Sequence, residues 1–221
     1  MKSKIIENKK IKETKLLNAA FELFTSKDIQ NVTISEIAKK AGVAKGTFYL
    51  YFKDKDQIRD ILISREVSRI FLNAQEKLDE NDIRNFEDSI IYLINQILNE
   101  LESNKQVASF IQKNLSWGIF SDYVHKSYSN DELHIRKRFA ELAEKNAYNY
   151  EDPNLVLFMI IDFVGSTCYS SIVKNEPLPI REYKPYLFDA IRAILQSQKN
   201  LNFFKKKHLR LSNNHAIIIE R

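Results

Sequence analysis

The sequence predicts an all-α protein, and two observations lead to this prediction. Its 221 residues include four glycines and four prolines, which leaves few of the turns that an all-β architecture needs. Apolar residues recur at the three-and-four spacing of one helix face in most segments. We therefore expect a three-helix N-terminal domain over residues 1–53, a larger helical domain over 54–199, and a basic, flexible tail over 200–221.

The first predicted helix lies between Lys9 and Ser26. The apolar residues of one face recur at helical spacing and are Leu17, Ala20, Phe21 and Phe24. Ile11 lies earlier, on a neighbouring stripe. After a polar break over residues 28–31, Thr33 and Glu36 have the spacing of a capping box, in which the two side chains satisfy free backbone N–H groups. A second, short helix is therefore expected to start there.

The remaining helices are predicted from the same two signals, apolar spacing and capping. A third helix is predicted over residues 45–52, and Asp54 with Gln57 caps a long fourth helix that ends near Asn81. Further helices are predicted over 86–101, 105–116, 133–147, 154–173 and the residues after Pro179. The helical period weakens between residues 117 and 130.

Residues 34–52 read ISEIAKKAGVAKGTFYLYF and have the spacing of a helix-turn-helix. Two short helices joined by a tight turn cross only where a small side chain separates them and the turn accepts a positive φ. Ala38 and Gly42 occupy these two places. The residues expected to point inward are Ile37, Ala41, Val43, Phe48, Tyr51 and Phe52. The residues left near the exposed end are Ala44, Lys45, Gly46, Thr47 and Tyr49.

The charge of the chain is unevenly distributed. Residues 1–60 contain 13 Lys or Arg and 8 Asp or Glu, a net charge of +5; residues 61–198 contain 15 and 20, a net charge of −5; residues 199–221 contain 6 and 1, again +5. A basic N-terminal part joined to an acidic body suits contact with a polyanion.

The run from Thr33 to Ile58, TISEIAKKAGVAKGTFYLYFKDKDQI, resembles the DNA-binding segment of TetR-family transcriptional regulators. The resemblance implies a homodimer that binds double-stranded operator DNA and carries a ligand-sensing and dimerisation domain behind the helix-turn-helix. The residues implied for DNA contact are Thr33, Thr47, Tyr49 and Lys55 on phosphates, and Lys45 and Gly46 at base edges. Ala44 belongs to the same exposed set but replaces a serine common in the family, and Asp28 replaces a common glycine.

Simpler explanations exist for individual residues of this set. Thr33 is needed as a helix cap whether or not it contacts DNA, and each lysine taken singly fits a solvated face. The lysines before the first helix, which fit a disordered start better than a DNA-binding arm, are Lys2, Lys4, Lys9 and Lys10. The basic tail matches nothing expected of the family, so its role stays open.

The apolar helix that starts at Pro153, behind the capping residue Asp152, is the predicted dimer element. It is apolar almost all round, so the last helix and a second copy of the chain are expected to cover it. Asp162 interrupts this helix, and a carboxylate buried there needs a partner. The candidate ligand-pocket residues are Trp117, Phe120, Tyr123, Tyr128, Asp162 and Tyr169, for each of which ordinary packing is the alternative.

Several classes of protein are disfavoured by the sequence. It contains no Gly-rich phosphate loop, nucleophile motif or metal-ligand cluster, so we expect neither an enzyme nor a cofactor. No signal peptide is recognised, and the longest apolar stretch, residues 155–165, is too short to span a bilayer. A cytoplasmic protein without membrane contact is expected, with Cys168 as a buried thiol.

Two functions remain open at this point. The first is a repressor that a small-molecule effector of unknown identity releases from a palindromic operator. The second is a DNA-binding protein of the same fold that works without a ligand, as an activator or an architectural factor.

Overall fold

The described part of the chain is built from helices joined by short connections. The computed structural model describes residues 2–114 and 135–199, and no β-strand occurs within these two ranges, in agreement with the predicted all-α class. The helices are α1 (Lys2–Ser26), α2 (Ile34–Lys40), α3 (Lys45–Phe48), α4 (Lys55–Asp79), α5 (Phe86–Ser103), α6 (Lys105–Asn114), α7 (Ile135–Lys145), α8 (Pro153–Val173) and α9 (Ile180–Lys199). A 3₁₀ turn, Ile29–Asn31, lies between α1 and α2.

Packing divides the described residues into two compact units. The first unit contains residues 2–73 and 99–114, and the second contains residues 74–98 and 135–199. The long helices α4 and α5 therefore each contribute to both units. This division differs from the domain boundary expected after residue 53. That boundary, between a DNA-binding and a ligand-sensing domain, stays a prediction.

Helix α1 is longer than the sequence predicted. It begins at Lys2, so the expected disordered start before Lys9 is wrong. Leu17 and Phe24 are buried where α1 packs against α2 and α6, in agreement with the predicted apolar face. Ile11 is 47% exposed, because it lies on the part of α1 that precedes this packed face.

An aromatic cluster forms part of the core of the second unit. Its rings are those of Phe86, Phe139, Tyr148 and Tyr150. The Phe86 and Tyr148 ring centroids are 4.7 Å apart, and the Tyr150 hydroxyl donates to the Leu195 carbonyl at 3.2 Å. Burial, followed by a hydrogen bond to Glu87, raises the pKa of the Tyr148 hydroxyl to about 12. This cluster joins α5, α7 and α9 into one core.

Helix α8 begins as the sequence predicted. The Asp152 carboxylate accepts hydrogen bonds from the backbone N–H groups of Asn154 at 2.9 Å and Leu155 at 3.2 Å, and Pro153 occupies the first helical position. Cys168 is buried as expected, and burial raises the pKa of its thiol to about 11. The helix packs against α7 and α9.

The length of α8 corrects one expectation from the sequence. Its 21 residues, with a mean hydropathy of 1.8 over an 18-residue window, make it long and apolar enough to cross a membrane by length and composition alone. The apolar stretch measured in the sequence ended at residue 165, but the helix continues to Val173 through small and weakly polar side chains. A core helix can have the same composition, and one third of that window is buried.

Candidate nucleic-acid interface

The start of α2 is fixed by the capping box that the sequence predicted. The Thr33 hydroxyl accepts from the Glu36 N–H at 3.2 Å, and the Glu36 carboxylate accepts from the Thr33 N–H at 2.8 Å. Lys27, directly after the end of α1, donates to the same carboxylate at 2.7 Å. The hydrogen bond from Lys27, supported by those from Thr33, lowers the pKa of Glu36 to about 2. Thr33 is exposed, with its backbone orientation set by these contacts.

The turn between α2 and α3 has the geometry that the sequence predicted. Gly42 has φ of +69°, in the left-handed region where a Cβ is unfavourable. The Val43 N–H donates to the carbonyl of the buried Ala38 at 3.0 Å, which closes the turn. The small residue and the glycine together set the angle at which α3 leaves α2.

The recognition segment, residues 44–53, contains a shorter helix than expected. Regular α-helix ends at Phe48, although the N–H groups of Tyr51 and Phe52 still donate to the Phe48 carbonyl at 3.0 Å. Phe48 and Phe52 are buried and Tyr51 is half-buried, as predicted. Ala44 is the N-terminal cap and makes no side-chain hydrogen bond, which agrees with the loss of the family's serine. The aromatic anchors therefore hold the segment in place without help from that cap.

The outward side of the recognition segment contains most of the predicted contact residues. Those that are exposed are Ala44, Lys45, Gly46 and Tyr49, while Thr47 is half-buried. One further residue on this side, Leu50, was not predicted from the sequence, and 77% of its surface is exposed. Its position two residues from both Phe48 and Phe52 is the signal that was available, because residues two apart on a helix lie on nearly opposite sides.

The surface around α3 is positively charged. Residues 37–53 contain four lysines and no Asp or Glu. Lys40 pairs with Glu22 at 2.7 Å, whereas Lys39, Lys45 and Lys53 are exposed and make no ion pair within the part of the chain that the structure describes. Three lysines of this surface thus remain available for an external anion.

Lys55 makes hydrogen bonds within the chain that the resemblance did not imply. Its ammonium group donates to the carbonyls of Ile29 at 2.8 Å, Gln30 at 3.2 Å and Val32 at 3.2 Å. An ammonium group has three N–H donors, so these bonds use all of them. Lys55 thus ties the start of α4 to the 3₁₀ turn before Thr33, and its phosphate contact stays a prediction, in which a phosphate would have to displace one of these carbonyls.

The predicted ligand-pocket residues are covered only in part. Trp117, Phe120, Tyr123 and Tyr128 lie outside the described residues. Asp162 is exposed within the chain rather than buried, because it lies on the side of α8 that faces away from α7 and α9, and Tyr169 is half-buried. Because four of the six residues are not described, the pocket stays a prediction.

These features define the class of protein. A capped short helix, a glycine turn and a second short helix with a basic outward side and a buried aromatic inward side are the parts of a DNA-binding helix-turn-helix.

Comparisons with known proteins agree with this class and narrow it. The model of bacterial regulatory proteins of the tetR family matches residues 16–60. YdgC, an uncharacterized HTH-type transcriptional regulator of Bacillus subtilis (strain 168), is 28% identical over 155 residues, which cover 69% of this chain and 73% of that protein.

Two solved structures are similar over most of their length. The fatty acid degradation regulator FadR from Bacillus halodurans has a TM-score of 0.62 and 19% identity, covering 81% of this chain and 94% of that one. The transcriptional regulator FadR from Bacillus subtilis, in complex with stearoyl-CoA, has a TM-score of 0.60 and 20% identity, covering 80% and 96%. Residues 16–60 therefore form a DNA-binding domain of the tetR family, and the comparisons support a transcriptional regulator of this family rather than an enzyme.

Proposed function

We infer that this regulator binds a palindromic operator as a homodimer in the cytoplasm, represses transcription there, and leaves the DNA when a small molecule binds its C-terminal helices. The observation that carries the DNA-binding part is the recognition segment, where Lys45 and its neighbours face outward with no acidic residue among them. When the lysines of such a surface bind DNA phosphates, they release the counterions held there, and this release favours binding.

Individual contacts follow from the positions of the exposed groups. Lys45 and Gly46 occupy the first turn of α3, where a side chain and a close backbone can reach base edges in the major groove. The Thr33, Thr47 and Tyr49 hydroxyls are the proposed phosphate contacts, because a hydroxyl can donate to a phosphate without discriminating among bases. The Thr33 hydroxyl donates to the Glu36 carboxylate at 3.0 Å in the free chain, so a phosphate there would replace this bond. The methyl group of Ala44 extends the same surface.

The homodimer is inferred from the uncovered side of α8. Leu155 is 51% exposed, and Asp162, Gly165 and Ser166 continue the same exposed stripe at helical spacing. A 21-residue helix of this composition is poorly suited to water, so a second copy of α8 is the proposed cover. Gly165 and Ser166 permit close approach of the two helices. The exposed Asp162 would then require a basic partner on the other subunit.

Dimerisation and DNA binding support each other. Two recognition segments held by one two-fold axis engage half-sites one helical turn apart. The second contact becomes intramolecular, with an effective concentration in the millimolar range for a short connection. Each half-site contact can therefore be weak while the operator complex is tight.

The ligand is the least constrained part of the proposal. Helix α6 offers a mechanical link to the helix-turn-helix, since the Phe110 ring stacks on Phe24 with centroids 6.3 Å apart and meets the edge of Phe21 at 5.9 Å. A ligand that shifts α6 would disturb α1 through this aromatic contact. Because the similar FadR structure contains stearoyl-CoA, a long-chain acyl-CoA is the first ligand class to test.

The test uses a DNA duplex that the wild-type chain selects from a random library. We expect affinity for this duplex to fall steeply and linearly on a log–log plot against salt, and stearoyl-CoA, but not free CoA, to release it. An affinity that does not change with salt would contradict phosphate binding. If stearoyl-CoA has no effect, the acyl-CoA assignment fails and the DNA-binding part stands.

A reporter gene distinguishes repression from the second function. The promoter is placed so that it overlaps the selected duplex, and expression is compared with and without the regulator. Repression predicts lower expression in the presence of the protein and recovery with the ligand. Higher expression would instead identify an activator.

A further inference from the structure

Leu50 is the most exposed of the large apolar side chains in the described part of the chain, with 77% of its surface open. Single exposed apolar residues are common on protein surfaces and need no explanation by themselves. Leu50 differs because it lies within the recognition segment, between the exposed lysines Lys45 and Lys53. Its neighbour Tyr49 is also exposed, at 54%.

The backbone places Leu50 in the centre of the outward side. The Leu50 N–H donates to the Thr47 carbonyl at 3.2 Å, so the helical turn continues through this residue. Successive residues of an α-helix or a 3₁₀ turn lie about 100–120° apart around the axis, which puts Leu50 on the side away from Phe48, where Gly46 is exposed as well. Gly46 has nothing within 4 Å of the position where a Cβ would lie, so the surface beside Leu50 is open.

The fold itself does not require this leucine. Phe48 and Phe52 fill the inward side of the segment and are buried. Leu50 contributes little to that core, since it leaves most of its surface in water. An apolar side chain at this place favours binding only when the partner presents an apolar group against which it can be buried.

In the major groove of DNA, one base presents an apolar group. Thymine carries a 5-methyl group there, while the other major-groove edges offer hydrogen-bond donors and acceptors, and aliphatic side chains contact this methyl group. We propose that Leu50 is a specificity-determining residue that reads a thymine in each half-site through its 5-methyl group. This inference rests on the proposed operator binding and names one base that the operator must contain.

The experiment replaces thymine by deoxyuridine, which removes the methyl group and leaves every hydrogen-bonding group in place. Each thymine of the duplex selected by the wild-type chain is replaced in turn, symmetrically in both half-sites. We expect one symmetric position to weaken wild-type binding by about fourfold per half-site, the factor that burial of one methyl group gives. The other positions should change affinity less than twofold.

Three variants identify the residue responsible. L50A should bind the thymine and deoxyuridine duplexes equally, and L50M should restore the discrimination because it keeps an apolar side chain of similar volume. The matched control K53M should weaken both duplexes by the same factor. Since Leu50 is exposed, L50A should unfold at the wild-type temperature, so a folding defect does not obscure the result.

The outcomes separate this inference from the function on which it rests. If L50A keeps the wild-type response to deoxyuridine, or if no deoxyuridine replacement affects the wild type, Leu50 does not read thymine while operator binding stands. If the wild-type chain selects no duplex at all, the proposed operator binding fails and this inference fails with it.

Discussion

The recognition segment and helix α8 both present surfaces that the described chain leaves uncovered, but the two surfaces are opposite in kind. The recognition segment exposes lysines that have no ion-pair partner in the described residues, and Phe48 anchors it from behind. Helix α8 exposes Leu155 and a stripe of small residues, and its 21 residues include one charged side chain, Asp162. An exposed positive charge favours binding of a polyanion, whereas an exposed apolar surface favours packing against a second apolar surface.

The largest expected effect comes from blocking the exposed stripe of α8. A Cβ at Gly165 would meet nothing within 4 Å, so G165R should fold while its bulky charge prevents close approach of a second α8. We expect a monomer by analytical ultracentrifugation and a loss of operator affinity of about a hundredfold or more, because the bivalent contact is lost.

G165A is the control for this change. It adds one methyl group and should stay dimeric, with a slightly more stable helix because alanine favours helix more than glycine does. A dimeric G165R that binds DNA as tightly as the wild type would place the dimer interface elsewhere.

The next effect is expected on the recognition segment. K45M should weaken operator binding by roughly 10- to 100-fold in a fluorescence anisotropy titration, because each of the two half-sites loses a contact worth about 0.7–1.4 kcal/mol. K40M is the matched control, since Lys40 already pairs with Glu22 and should lose less. Equal losses for the two variants would show that only the total charge matters.

Lys55 provides a sharper test because the structure and the family resemblance disagree about it. If its ammonium group holds three carbonyls, K55M should lower the free energy of unfolding in urea by about 1–2 kcal/mol and leave the salt dependence of DNA binding unchanged. A phosphate contact would instead reduce the slope of log K against log salt by about 1.8 for a dimer, at about 0.9 per phosphate. A reduced salt slope for K55M, with unchanged stability, would support the phosphate contact instead.

The smallest expected effect concerns the capping box at Thr33. The pKa of Glu36 is lowered to about 2 in the folded chain, so the carboxylate stabilises the fold above its unfolded pKa and this contribution is lost as pH falls from about 4.5 toward 2. E36Q should therefore show a smaller drop in melting temperature between pH 5 and pH 2.5 than the wild type does. E7Q, at an exposed position on α1, serves as the control, and identical pH profiles for E36Q and wild type would remove the role of Glu36.

The helix-turn-helix could be predicted closely because its signals are local. Capping residues three positions apart and a glycine at a tight turn act within a few bonds, so Thr33, Glu36 and Gly42 were placed correctly. Contacts between distant residues left no such signal: the three carbonyls bound by Lys55 lie 23 to 26 residues away. Asp162 was expected to be buried, because periodicity gives the composition of a helix but not which of its sides the chain itself covers.

The bond from Lys55 back to the 3₁₀ turn sets a lower limit on the smallest autonomous DNA-reading fragment. A chain truncated after residue 53, at the boundary that the sequence suggested, would lack the ammonium group that holds the carbonyls of Ile29, Gln30 and Val32. It would also lack Phe110, whose ring covers Phe24. Anyone excising this module for transplantation into a synthetic regulator should therefore retain the beginning of α4 and provide a substitute for α6.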